Sequence, residues 1–116
     1  MPQKSTLVML THAPHGTLHF VEGLRAAMGL ASTVDDCRLA VAFLGDGCMG
    51  SLATLERGEA EQHIATLSEL GYRLLVERDS LDARSIADGE VAPGVDIIRR
   101  SDLLALLRTV DFVLGF

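Results

Sequence analysis

Aromatic side chains are scarce in this chain. Among its 116 residues there is no Trp, one Tyr and four Phe, 4% in all. The core must therefore be aliphatic, and nucleic-acid binding through bases stacked on aromatic rings is disfavoured. Positive charge is also short. Ten Lys and Arg stand against 16 Asp and Glu, for a net charge of −6. Only Arg99 and Arg100 are adjacent basic residues, so a phosphate backbone would be repelled and no direct nucleic-acid partner is expected. No apolar run approaches the roughly 20 residues that span a bilayer. Met1-Pro2-Gln3-Lys4 and the short apolar stretch behind it do not read as a secretory signal. A soluble, cytoplasmic protein with no membrane partner is the expectation.

Cysteine is limited to Cys37 and Cys48, which flank an apolar segment that reads as a strand. A strand of about eight residues sets its ends more than 20 Å apart, whereas a disulfide needs Cα atoms within about 7 Å. An internal bridge is thus disfavoured, and two free thiols suit a reducing compartment.

What the chain does have is aliphatic bulk: 48% hydrophobic and 22% charged residues, with a mean hydropathy of +0.29. Its length fits a single domain over residues 1–116 that can bury enough surface to fold without disulfide or metal staples. Strand and helix patterns alternate. Leu7–Leu10 is a short apolar run closed by the turn residues Thr11–Gly16. Thr17 is placed to cap a helix over Leu18–Leu30, with Phe20, Leu24, Ala27, Met28 and Ala31 on one face. Cys37–Leu44 is apolar on both sides, as a strand covered by helices must be. Gly45-Asp46-Gly47 breaks it, and a helical turn follows. Glu59–Leu70 reads as a helix capped by Gly71, and Tyr72–Val76 as a strand. Asp79 or Ser80 would start a short helix through Ala87. Val95–Ile98 is a strand, Ser101–Leu107 a helix and Val110–Leu114 a closing strand. This alternation predicts an α/β fold, three-layer α/β/α, around a mainly parallel five-stranded sheet. Ligand sites in such sheets gather beyond the carboxyl ends of the strands.

Several segments, taken in order, resemble the DsrE/DsrF-like family, and its TusC/DsrF branch in particular. Thr11-His12-Ala13-Pro14-His15-Gly16-Thr17 is similar to the family's Ala-Pro-x-Gly turn after the first strand. Glu22-Gly23-Leu24, Ala31-Ser32-Thr33-Val34-Asp35-Asp36, Val41-Ala42-Phe43-Leu44-Gly45-Asp46-Gly47 and Val110-Asp111-Phe112-Val113-Leu114-Gly115-Phe116 follow at matching spacing. The resemblance implies a role in sulfur handling, where persulfide sulfur passes between cysteines toward 2-thiouridine in tRNA or during sulfur oxidation. It also implies partners: paralogous TusD/DsrE-like and TusB/DsrH-like chains in a hetero-oligomer, with a homo-oligomer as the alternative. The TusD/DsrE-type partner carries the acceptor cysteine at the end of the third strand. Here Leu75-Val76-Glu77-Arg78-Asp79-Ser80-Leu81 is the matching stretch, and Glu77 stands at about the cysteine's place. A carboxylate cannot hold a sulfane sulfur, since the relay needs a thiolate. The resemblance therefore implies an accessory, non-catalytic subunit.

Cys48 offers a different reading, that of a stand-alone sulfurtransferase or thiol enzyme. It follows a strand tip and can open a helical turn, a setting that lowers a thiol pKa; Asp46 acts the other way. The plain alternative is a small buried apolar residue. Cys37, at the opposite end of its strand, reads as structural. His12, His15 and His19, with Asp46 nearby, have a loose metal-ligand spacing, against the simpler reading of hydrogen-bonded or solvated turn histidines. His63 is expected on a solvated helix face. His12, His15, Asp46 and Glu77 are the residues expected to line the cleft, and no cofactor is called for. Glu77–Arg84 reads as an exposed, mixed-charge helix start, or as a contact with a partner chain. The apolar composition of so small a domain points to surplus apolar surface and protein–protein contacts.

Overall fold

The computed structural model describes residues 4–16, 18–33, 37–54 and 59–116. Among these residues five parallel strands form one sheet: β1 (Lys4–Leu10), β2 (Cys37–Phe43), β3 (Arg73–Glu77), β4 (Val95–Ile98) and β5 (Phe112–Gly115). Their order is β4-β3-β2-β1-β5. Among the described residues four helices connect them: α1 (His19–Thr33), α2 (Glu59–Glu69), α3 (Arg78–Ala83) and α4 (Arg100–Thr109). Two 3-10 helices, Gly45–Ser51 and Asp88–Glu90, follow β2 and α3. The expected three-layer α/β/α fold with a parallel five-stranded sheet is what forms. The Thr17 cap and the Val34-Asp35-Asp36 portion of the motifs lie outside the described residues.

Topology decides which face each helix covers. The chain steps from β1 to β4 in one direction across the sheet, and right-handed crossovers then put the intervening helices on one face. From β4 it returns over the whole sheet to β5, so α4 must cross the other face. The side chains divide accordingly. Val8, Leu10, Leu39, Val41, Phe43, Leu74 and Val76 face α1 and α2, meeting Phe20, Leu24, Ala27, Ala60, Ile64 and Leu67. On the reverse face Leu7, Ala40, Ala42 and Leu75 lie under Leu103, with Leu106 and Leu107 beside it. On this face β2 presents only the small side chains of Ala40 and Ala42.

The register runs from Lys4 opposite Cys37 to Leu10 opposite Phe43 between β1 and β2, and from Leu74 opposite Val95 to Glu77 opposite Ile98 between β3 and β4. Glu77 is thus the last rung of β3, one position beyond the expected strand. β5 is the thinly covered edge: Phe112, Val113 and Leu114 are all exposed. It is tied to β1 by the Asp111 carboxylate, which accepts the Ser5 backbone N–H at 2.8 Å.

Two glycines are dictated by local geometry. Gly71 ends α2 at φ 85°, and the N–H of Tyr72 reaches back to the Leu67 carbonyl at 3.1 Å, a Schellman closure that needs the left-handed conformation. Gly47 lies against the backbone of β1, where a Cβ would collide with the Leu10 carbonyl oxygen. That contact folds the 3-10 helix flat over the sheet end.

Replacing Gly47 by Ala is expected to destabilise the protein by about 1–3 kcal/mol, because backbone must move to admit the methyl. A Cβ at Gly29, inside α1, meets nothing within 4 Å, so Gly29→Ala should instead stabilise by about 0.5–1 kcal/mol. Urea denaturation of the two variants checks both signs.

Candidate functional site

The carboxyl ends of β2 and β3 bring together groups that the chain spaces far apart. Leu44 continues β2 for one more bond, its N–H donating to the Leu10 carbonyl at 3.1 Å. The chain then turns into the 3-10 helix, which carries Asp46 outward and Cys48 inward. From β3 it passes directly into α3, so Glu77 and Ser80, three residues apart, fall on one side of that turn.

Ser80 is the hub. Its hydroxyl accepts the Gly45 backbone N–H at 2.9 Å and donates to Glu77 Oε1 at 2.6 Å. Its carbonyl accepts Arg84 Nη1 at 3.0 Å and the Cys48 thiol at 3.8 Å. Arg84 Nη2 also holds Asp46 Oδ1 at 2.7 Å. Arg100, first residue of α4, closes the network from the other face. Its Nε donates to Glu77 Oε2 at 3.1 Å and its Nη2 to Oε1 at 3.2 Å. Asp79 Oδ2 lies 3.8 Å from the same guanidinium.

The Glu77 carboxylate is only 5% exposed. Burial alone would push its pKa up. The hydrogen bonds from Arg100 and Ser80, then the positive charges of Arg100 and Arg84, outweigh that and hold it below its ordinary 4.5. Glu77 is therefore ionised at neutral pH. Cys48 is the reverse case. It is fully buried within the α1/α2 core. Burial pushes its thiol up, Arg84 partly opposes this, and Asp46 and Glu77 add to it. A buried, protonated thiol is a poor nucleophile. Cys48 also sits in the middle of the 3-10 helix, so the helix-start activation expected for it is absent.

Beside Glu77, between α3 and α4, lies an open groove of about 470 Å³. Met9, Leu44, Leu104 and Leu107 give it an apolar lining, with Glu77 and Arg100 at its polar side. Of the four residues expected to line the cleft, only Glu77 does so. His12, His15 and Asp46 do not, because the chain leaving β1 turns toward α1 on the other face, and Asp46 is drawn outward to Arg84. The metal arrangement of His12, His15 and His19 is not formed either. The rings of His12 and His19 stack with centroids 4.2 Å apart, which presents ring faces to each other, and His15 is exposed. Among the described residues no three His, Cys, Asp or Glu side chains group so as to hold a metal ion. His63 is half-buried, not solvated. The side chain of Cys37 lies outside the described residues.

The Glu77–Arg84 segment is not the wholly exposed run expected. Glu77, Ser80 and Leu81 are buried, while Asp79 and Asp82 are exposed. Sequence reasoning missed Arg100, Ser80 and Arg84 as site residues. Glu77, Ser80 and Arg84 follow one helical face at i, i+3 and i+7, a legible signal. Nothing in the sequence joins Arg100 to Glu77, since that pairing depends on the β3–β4 register, which sets Glu77 opposite Ile98, two residues before Arg100.

A depressed carboxylate pKa adds stability above the unfolded value and loses it as pH falls through the folded one. The wild type should therefore lose stability faster than Glu77→Gln as pH drops below about 4.5, while at pH 7 the variant should be weaker by about 1–3 kcal/mol. Thermal melts across that range read both effects. For Cys48, iodoacetamide is expected to label the thiol in urea but not in the native protein, as peptide mass mapping would show.

Among solved structures, the crystal structure of the ychN protein from E. coli superimposes with a TM-score of 0.86 at 24% identity, covering 98% of this chain and 99% of that one. A protein of unknown function, MTH1491 from Methanobacterium thermoautotrophicum, gives a TM-score of 0.76 at 14% identity, covering 91% and 90%. No protein-family model matches the sequence, and no curated protein matches it. No helix among the described residues is long and apolar enough to cross a membrane. At these identities the comparisons establish a shared fold over essentially the whole length of the chain.

Proposed function

We propose that this chain is a TusC/DsrF-like accessory subunit of a persulfide sulfur-relay complex, acting through structure and partner binding and not as a sulfur acceptor. The observation that carries this reading is the buried, ionised carboxylate of Glu77 at the tip of β3. That is where the resemblance puts the acceptor cysteine of the relay's catalytic partner. A carboxylate forms no persulfide, since the transfer requires a thiolate that attacks a sulfane sulfur. The buried thiol of Cys48 offers no substitute, which counts against a stand-alone sulfurtransferase built on it. The fold shared with the ychN protein supports the DsrE-like part of the resemblance. The TusC/DsrF branch rests on the ordered motifs. The partners, on this reading, are TusD/DsrE-like and TusB/DsrH-like chains.

Co-expression with such chains, followed by size-exclusion chromatography, tests the proposal. Co-elution as a hetero-oligomer is expected, and elution of this chain by itself would count against it. Exposure to a low-molecular-mass persulfide should leave no sulfur on Cys48. A gain of about 32 Da mapped to that residue would restore the sulfurtransferase reading, because transfer adds one sulfur to the accepting thiolate.

A further inference from the structure

The groups around Glu77 also have contacts other than those to Glu77 itself. The Gly45 N–H donates into the Ser80 oxygen at 2.9 Å. The serine proton is thereby turned away from Gly45 and toward the position of the carboxylate. Arg100 has a second acidic neighbour in Asp79, at 3.8 Å. Ser80 is itself buried, with 4% of its surface exposed. One hydroxyl proton and two guanidinium N–H groups thus meet one carboxylate at the end of β3, beside an apolar groove, with Ser80 and Arg100 Nη2 on Oε1 and Arg100 Nε on Oε2. This is a receptor for a single negative charge.

The size of the occupant is informative. A glutamate carboxylate oxygen is three short bonds from Cβ. The outer sulfur of a cysteine persulfide is two bonds from Cβ, both longer, with an S–S length of about 2.05 Å. The two reach about equally far, and both end in an anion. A bare cysteine thiolate falls short of that point.

We propose that the tip of β3 is an anion cradle, formed by Ser80 Oγ and Arg100 Nε and Nη2, in which Glu77 permanently holds the place and charge of a persulfide anion. The cradle stands on the geometry alone; the persulfide identity rests on the sulfur-relay reading. In this chain the cradle is filled covalently by its own side chain, so the loaded state is imitated and never discharged.

Two variants test the two parts. Glu77→Ala empties the cradle. Sodium formate should then raise the melting temperature of that variant more than sodium chloride at equal ionic strength, and Glu77→Ala/Arg100→Ala should lose the difference. Equal effects of the two salts on a folded Glu77→Ala protein would overturn the cradle.

Glu77→Cys tests the occupant and covers the case in which Glu77→Ala fails to fold. Treated with a low-molecular-mass alkyl persulfide, the introduced thiolate attacks the donor's outer sulfur. A new S–S bond forms, the donor's S–S bond breaks, and the donor leaves as a thiolate with the bonding electron pair, so no outside oxidant is needed. Residue 77 should gain about 32 Da, one sulfur. The half-time for loss of that sulfur to excess thiol should shorten at least fivefold when Arg100→Ala is added. No sulfur at residue 77, or a half-time indifferent to Arg100, would overturn the persulfide identity. Both readouts use this chain alone. Failure of the relay reading appears separately, as absence of co-elution of the wild type with partner chains.

Discussion

A buried negative charge is costly unless it is fully coordinated, and the end of this sheet is organised around one such charge. Glu77 draws Arg100 from α4, Ser80 from α3 and, through the serine oxygen, the backbone of Gly45 after β2. Elements from both faces of the sheet are joined at a single carboxylate. The interaction with Arg100 is not a simple surface ion pair of small worth, since one partner is almost wholly removed from water. Its role is to fix relative positions: where α4 begins, where α3 turns, and where the 3-10 helix lies.

A second constraint at the same sheet end sets the fate of two nearby chemical groups. The close approach of Gly47 to the backbone of β1 presses the 3-10 helix against the sheet, which drives Cys48 into the core. Asp46, on the outer side of the same helix, turns to Arg84. A thiol and a carboxylate two residues apart thus end in opposite surroundings. The thiol is closed into the α1 side of the sheet, while the carboxylate of Glu77 stands at the groove beside α4.

The fold was largely readable from the residues because its signals are local. The twofold alternation of β2, apolar on both sides, requires a covered strand, and Gly71 announces the end of α2. Element ends moved by one to four residues where a single rung or turn decided them, as at Glu77. The site was readable only in part. The place of Glu77 came from its position after β3, and its link to Ser80 and Arg84 is inherent in helical spacing. Arg100 was hidden because it comes 23 residues later and reaches Glu77 only through the pairing of β4 beside β3, which sets Ile98 opposite Glu77. The histidines misled for a related reason: closeness in sequence to a strand tip does not say toward which face the next helix will draw the chain.

The strand order carries a kinetic consequence. β1 to β4 join in the order in which they occur, each closing a modest loop onto its predecessor. β5 must instead reach back to β1, and the bond between Ser5 and Asp111 spans 106 positions along the chain. Closing so long a loop is entropically expensive and is repaid only after the rest of the sheet exists. With its side chains largely open to solvent, β5 gains little by docking early. It is the natural last step of assembly and the first place to fray, leaving the charged junction at the far strands undisturbed.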